Sequence, residues 1–206
     1  MPPQIFIRLA DVILSLLGLI ILSPILLLVF LFSFVFQAGF PLFLQQRFGR
    51  EEKLFTLIKF RTMRPETGSV GTHEVNPGQV TAWGKLLRKS KIDELPQLWN
   101  VLRGEMSLVG PRPLLMEYLA RYTPQQARRM EVKPGITGWA QVNGRNALSW
   151  EEKFKLDVWY VDHRSFWLDM KILGMTALQV LARKGISAEG CATMPEFLGS
   201  GGAKKL

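Results

Sequence analysis

The sequence predicts an α+β fold, mainly helical, in which a broken membrane helix at the N-terminus precedes one small catalytic domain with interfacial amphipathic helices. Two patterns and a length predict it. Val12 to Phe36 carries no charged residue. Beyond it, apolar residues recur mostly at helical spacing, with one clear strand pattern at 54–61. The 206 residues, 48% hydrophobic with a mean hydropathy of +0.11, suffice for one ordinary domain and an anchor. The expected division is a membrane helix over 1–40, a catalytic domain over 41–184 and a loose tail over 185–206. There is no internal repeat and no sign of a second soluble domain.

The uncharged run, as a helix, is roughly 37 Å long at about 1.5 Å per residue, enough to cross a hydrocarbon core of about 30 Å. A signal peptide would have a shorter apolar core and a small-residue cleavage site. Arg8 and Asp11 flank one side; Arg47, Arg50, Lys53, Lys59, Arg61 and Arg64 follow the other. That imbalance places the body of the protein on the cytoplasmic side. Ser23-Pro24 interrupts the run. Pro24 offers no N–H to the carbonyl of Ile20, and the Ser23 hydroxyl can serve a freed carbonyl instead. A bent spanning helix and a hairpin returning to the same face both fit.

After the run, Phe40 to Leu44 read as interfacial and Gln45 to Gly49 as a turn. Leu54 to Arg61 reads as a strand with Lys59 and Arg61 on one face, able to grip one phosphate or simply to meet solvent. Residues 65–80 are loop, and Thr81 to Lys89 is a short amphipathic helix. Leu114 to Arg129 is expected to be helical. Lys133 to Arg145 is glycine-punctuated, a loop with a short strand and Arg145 at its end. Residues 149–183 are mostly helical. Their Trp150, Phe154, Trp159, Tyr160, Phe166 and Trp167 suit either a headgroup layer or an ordinary core.

The net charge of +9 and pI near 9.9 suit phosphates, an anionic membrane face or nucleic acid. The apolar run and the lack of a basic-aromatic module argue against nucleic acid. Cys191 is the one cysteine, so no intrachain disulfide forms. Neither His73 nor His163 has metal-ligand company, and there is no P-loop or dinucleotide-binding glycine pattern.

The chemistry concentrates at Lys91-Ile92-Asp93-Glu94-Leu95-Pro96. Leu95, Leu98, Trp99 and Leu102 follow at helical spacing, Pro96 fits only a first turn, and Gly104 is placed to stop the helix. Asp93 and Glu94 therefore belong at or just before a helix N-terminus, where free N–H groups favour anions. Asp93 as a plain N-cap is the competing reading. Arg88 arrives a few residues earlier. In Val109-Gly110-Pro111-Arg112-Pro113 two prolines hold Arg112 in extended backbone, which either pre-orders its guanidinium for a phosphate or is simply a rigid turn with an exposed arginine.

Lys59-Phe60-Arg61-Thr62-Met63, Lys91 to Gln97, Val109 to Pro113 and Lys133-Pro134-Gly135-Ile136-Thr137-Gly138 stand in order. Together they resemble the bacterial sugar transferases, the monotopic phosphoglycosyl transferases, over nearly the whole chain after residue 8. With one N-terminal apolar segment the chain looks like the small, catalytic-domain-only members, and most like those using UDP-N,N′-diacetylbacillosamine in protein glycosylation. The resemblance implies transfer of a sugar 1-phosphate from a UDP-sugar to undecaprenyl phosphate, with release of UMP and a requirement for Mg²⁺. It implies Asp93 as a nucleophile forming an acyl-phosphate, Glu94 as its helper, and both near the metal. It also implies a segment that re-enters at Ser23-Pro24, an inner-membrane location with the catalytic domain on the cytoplasmic face, and downstream glycosyltransferases as partners. Lys59, Arg61, Arg88, Arg112 and Arg145 are the expected phosphate holders. Direct transfer in a ternary complex with Asp93 as a metal ligand, and a non-enzymatic membrane adaptor, are the alternatives.

Overall fold

The computed structural model describes residues 3–37, 39–64, 79–144, 147–182 and 196–199. Helix α1 (Pro3–Phe36) runs through Pro24 as one element. The expected interruption of the helix at Ser23-Pro24 is absent, for a local reason. The Ser23 hydroxyl donates to the Ile20 carbonyl at 2.8 Å, the carbonyl that Pro24 leaves without its usual partner. One stripe of α1 is buried, at Ile7, Asp11, Ser15, Val29 and Ser33, and Gln37 just beyond the helix extends it. The opposite side exposes Ile20, Ile21, Leu27, Leu28 and Val35. The helix is long and apolar enough to cross a membrane.

The chain then forms an antiparallel hairpin of β1 (Leu42–Phe48) and β2 (Leu54–Phe60), paired from Leu42↔Phe60 to Phe48↔Leu54. Residues 45–49, expected as a turn, are thus mostly strand. Their glutamines and arginine have modest strand propensity, but pairing with β2 satisfies their backbone. The turn lies at 50–52, with Glu51 and Glu52 at positive φ. Helix α2 (Ala82–Ser90) is capped by Thr81, whose hydroxyl accepts from the Gly84 N–H. Helix α3 (Gln97–Arg103) stops at Gly104, which takes the left-handed conformation at φ 82° as its position in the sequence predicts. Fully buried Asn100 fastens α3 to β2: its amide donates to the Thr56 carbonyl at 2.7 Å and its carbonyl accepts from the Ile58 N–H at 3.2 Å.

Strand β3 (Ser107–Val109) pairs in parallel with β4 (Gly135–Thr137). Between them the expected helix over 114–129 is broken into a 3-10 stretch, Met116–Arg121, then α4 (Pro124–Ala127), then a 3-10 stretch, Arg128–Glu131. Pro124 starts a new element there, and Thr123 and Gln126 form a capping box around it. Short α5 (Trp139–Val142) follows β4, then α6 (Trp150–His163) and α7 (Phe166–Ala182).

The aromatic residues of 149–183 divide between the two readings. Phe154 and Tyr160 are core, and Trp150 stacks on Phe154 and meets Tyr118 edge to face. Trp167 is 79% exposed and free to meet a membrane surface. Part of the expected loose tail is docked: Phe197 is buried against Tyr118 and Phe154, and Arg121 pairs with Glu196 at 2.6 Å. Each fully buried side chain of this kind contributes roughly 1.5–3 kcal/mol.

Candidate active site

Asp93 and Glu94 lie on a single 3-10 turn, Ile92–Glu94, wedged between α2 and α3. Lys91 makes this possible by taking φ 61°, which ends α2 and reverses the chain. The carboxylates thus precede α3 by one turn. The plain N-cap reading of Asp93 fails: the N-caps of the 3-10 turn and of α3 are Lys91 and Pro96, and neither cap is closed by a side chain. Asp93 is 8% exposed and Glu94 9%. Two adjacent acids so deeply buried need counter-charge.

Glu94 receives it directly. Arg112 donates from Nη1 to Oε2 at 3.3 Å and from Nη2 to Oε1, a two-pronged pair. Lys59 Nζ stands 3.6 Å from the same Oε1. Burial pushes the Glu94 carboxyl up, but Arg112 and Lys59 together outweigh it and hold it well below the usual range. Among the described residues Asp93 has no such partner. Its Oδ1 is buried without a hydrogen bond. Burial, and then the Glu94 charge, push its carboxyl up, opposed by Lys59, Lys91 and Arg88. Burial also drives the Lys59 ammonium down to about 8, with Glu94 opposing.

Of the cations expected at the site, Lys59 and Arg112 are at Glu94. Arg88, from the last turn of α2, donates from Nε to Thr62 Oγ1 at 2.9 Å, and the charges of Asp93 and Glu94 both act on it. Arg61 is elsewhere. It falls just past the end of β2, donates from Nε to the Phe40 carbonyl at 2.9 Å and lies over the Phe43 ring. Lys59 and Arg61 therefore do not form the shared phosphate grip that strand alternation suggests. Arg145 lies outside the described residues.

Arg112 itself is held from behind. Arg129 Nη2 donates to the Arg112 carbonyl at 2.7 Å, and Arg129 pairs with Asp157 of α6 at 2.8 Å, both nearly fully buried. Nothing in the sequence marks this pair, whose members are 28 positions apart and read locally as surface charges on helices. Arg47 is a second buried cation that sequence reasoning placed only among the flanking charges. The arrangement can accept a polyanion: one buried carboxylate is neutralised by two cations, its neighbour is left with an unengaged oxygen, and further cations stand around them.

A model of the bacterial sugar transferase family matches residues 3–183. An uncharacterized sugar transferase of Bacillus subtilis, EpsL, is 58% identical over 166 residues, 80% of this chain and 82% of that protein. An undecaprenyl-phosphate galactose phosphotransferase of Salmonella typhimurium is 39% identical over 196 residues, 86% of this chain and 41% of that protein. A UDP-glucose:undecaprenyl-phosphate glucose-1-phosphate transferase of Xanthomonas campestris is 37% identical over 187 residues, 85% of this chain and 39% of that protein. The chain thus spans about two fifths of the length of these two named transferases. The family match takes in both carboxylates, Lys59, Arg88 and Arg112, and the chain belongs to the bacterial sugar transferase family.

Proposed function

We propose that the protein transfers a sugar 1-phosphate from a UDP-sugar to undecaprenyl phosphate and releases UMP. The single observation that carries this reading is the buried, unengaged Oδ1 of Asp93 beside a Glu94 already neutralised by Arg112 and Lys59. A carboxylate so placed is a nucleophile with nothing of the protein to displace first. In the first step an Asp93 oxygen bonds to the phosphorus bearing the sugar, and the bond from that phosphorus to the UMP oxygen breaks. In the second, an oxygen of the lipid phosphate bonds to the same phosphorus and Asp93 leaves as carboxylate. Glu94, committed to Arg112, acts by fixing that guanidinium where negative charge gathers. The relatives named for galactose and glucose make UDP-galactose and UDP-glucose test donors. UDP-N,N′-diacetylbacillosamine is the donor the motif resemblance favours.

Among the described residues no group of three acidic, histidine or cysteine side chains is placed to hold a metal. Mg²⁺ needs no such cage. It commonly takes one or two carboxylates and fills its shell with substrate phosphate oxygens and water, and the unengaged oxygen of Asp93 fits that demand. Asp93, with Glu94 beside it, would hold the ion, which would reduce repulsion between carboxylate and diphosphate.

The reading also includes topology: a re-entrant α1 with both ends on the cytoplasmic face of the inner membrane. Near one end Arg8 donates to the carbonyls of Val101 and Leu102, and Asp11 accepts from Ser107 and Leu108. Near the other, Ser33 accepts from Trp83 and Gln37 donates to the Arg61 carbonyl. Both ends grip one polar domain, which cannot enter hydrocarbon.

A quenched-flow assay of purified protein with UDP-sugar and Mg²⁺, without acceptor, tests the chemistry. About one UMP per active site is expected, together with a hydroxylamine-labile phosphosugar adduct on Asp93 by intact mass. Asp93→Asn removes both, and EDTA stops release without lowering the unfolding midpoint. UMP release only when lipid phosphate is present would instead favour direct transfer in a ternary complex.

A further inference from the structure

Arg47 is a buried cation with no carboxylate in ion-pair contact among the described residues, although the more distant charge of Glu117 acts on it. It is 6% exposed on β1. Its Nη2 donates to Gln45 Oε1, a neutral amide, and its Nε is buried with no acceptor. Among the described residues no carboxylate pairs with it, whereas Arg129 has Asp157 and Arg112 has Glu94. Leaving a guanidinium buried and unpaired costs several kcal/mol, so this position works against stability. Burial, followed by the nearby charge of Arg112, lowers its pKa to about 10.

Register shows which way it faces. Phe43↔Lys59, Gln45↔Leu57 and Arg47↔Phe55 are direct cross-strand partners, so Arg47 and Lys59 share one face of the hairpin. Lys59, at the end of the hairpin that leads back to α1, already touches Glu94. Arg47 is four strand positions from Phe43, about 14 Å further from that end at roughly 3.4 Å per residue. A row of cations thus starts beside the membrane helix at Lys59 and ends at Arg47, with Arg112 in electrostatic reach of both. On the transferase reading, the α1 end is the side for the lipid phosphate, which leaves the other end of the row to the soluble nucleotide diphosphate.

We infer that Arg47 holds the departing, nucleotide-side phosphate of the diphosphate donor and so is a donor-binding residue of this site. The inference rests on the transferase reading given above. It explains a lone buried guanidinium at the end of the cationic row far from the membrane: the missing anion arrives with the substrate and leaves with UMP.

The test compares full-length wild type with Arg47→Met and Arg47→Lys in lipid nanodiscs. Losing one or two charge-assisted hydrogen bonds should raise KM for the UDP-sugar and the UMP inhibition constant about 10- to 100-fold in Arg47→Met. KM for undecaprenyl phosphate should hold, and the unfolding midpoint should stay or rise, since an unpaired buried charge has gone. A structural arginine would give the opposite pattern, a lower midpoint with unchanged UMP inhibition, and that result overturns the assignment. So does a KM effect confined to the lipid phosphate. Should Arg47→Met not fold, Arg47→Lys reads the same constants, and an unchanged UMP inhibition constant there counts against the proposal. Wild type that releases no UMP from any UDP-sugar would overturn the transferase reading as well. Release by wild type with unaltered inhibition in the variants would overturn Arg47 alone.

Discussion

Two neighbouring carboxylates acquire different properties from what surrounds them. Glu94 is held ionised by Arg112 and Lys59, whereas burial and Glu94 itself press the Asp93 carboxyl upward. Their roles in the proposed chemistry separate accordingly, one anchoring cations and one left available. Lys59 yields a pH prediction. Its ammonium, lowered by burial to about 8, loses its charge on the free enzyme as pH rises through that value. The pH dependence of kcat/KM for the UDP-sugar, which reports the free enzyme, should therefore fall above about 8. Lys59→Arg should carry that limb beyond the accessible range, because a guanidinium stays charged. An unchanged limb in the variant would remove Lys59 from donor binding. The stability sign is opposite. Between about 8 and the ordinary 10.5 only the unfolded lysine keeps its proton, so this group's contribution to stability increases with pH across that window.

At the scale of elements, the site depends on α2 lying hard against the segment after β2. A Cβ placed on Gly84 would stand 2.0 Å from the Thr62 carbonyl oxygen. Backbone faces backbone there, so no side chain can swing away. The same Thr62 accepts from Arg88 through its hydroxyl, which links the close approach to the site. Gly84→Ala should destabilise the protein by about 1–3 kcal/mol through overpacking, read as a lower denaturant midpoint. It should also lower kcat under conditions where the variant is still folded, because Arg88 shifts with α2. An unaltered midpoint would mean that α2 can move off Thr62 at no cost.

For the whole molecule, the organising fact is that α1 is joined to the catalytic domain at both ends. Its 34 residues span about 51 Å if straight, yet Asp11 is tied to β3 and Gln37 to the end of the hairpin. On the proposed topology, a helix held this way dips into one leaflet and returns both ends to the same face. With Gln4→Cys as the reporter in a Cys191→Ser background, intact cells should give no labelling with an impermeant maleimide, and permeabilised cells should give strong labelling. Labelling from outside would establish a spanning helix. Replacing Ser23 and Pro24 with Ala and Leu restores the backbone hydrogen bond that Pro24 cannot make and should move the population toward spanning.

Local regularities made much of this legible in the sequence alone. An uncharged run needs only composition to declare itself, and α3 was bounded by Pro96 at one end and Gly104 at the other because φ preferences are properties of single residues. The adjacency of Asp93 and Glu94 and the clamped Arg112 were visible for the same reason. Strand β1 was not, since Gln45 to Phe48 become strand only through hydrogen bonds to β2, and the helix expected over 114–129 gave way to a capped restart at Pro124. Arg61 shared its strand alternation with Lys59, but the strand ends one residue too soon and its guanidinium turns to Phe40. Distance in sequence hid the Arg129–Asp157 support of Arg112 and the burial of Arg47. The sequence by itself determined which residues carry charge and where the backbone must turn, because both are local. Tertiary structure alone decided which charges meet, because burial and pairing depend on segments that only folding brings together.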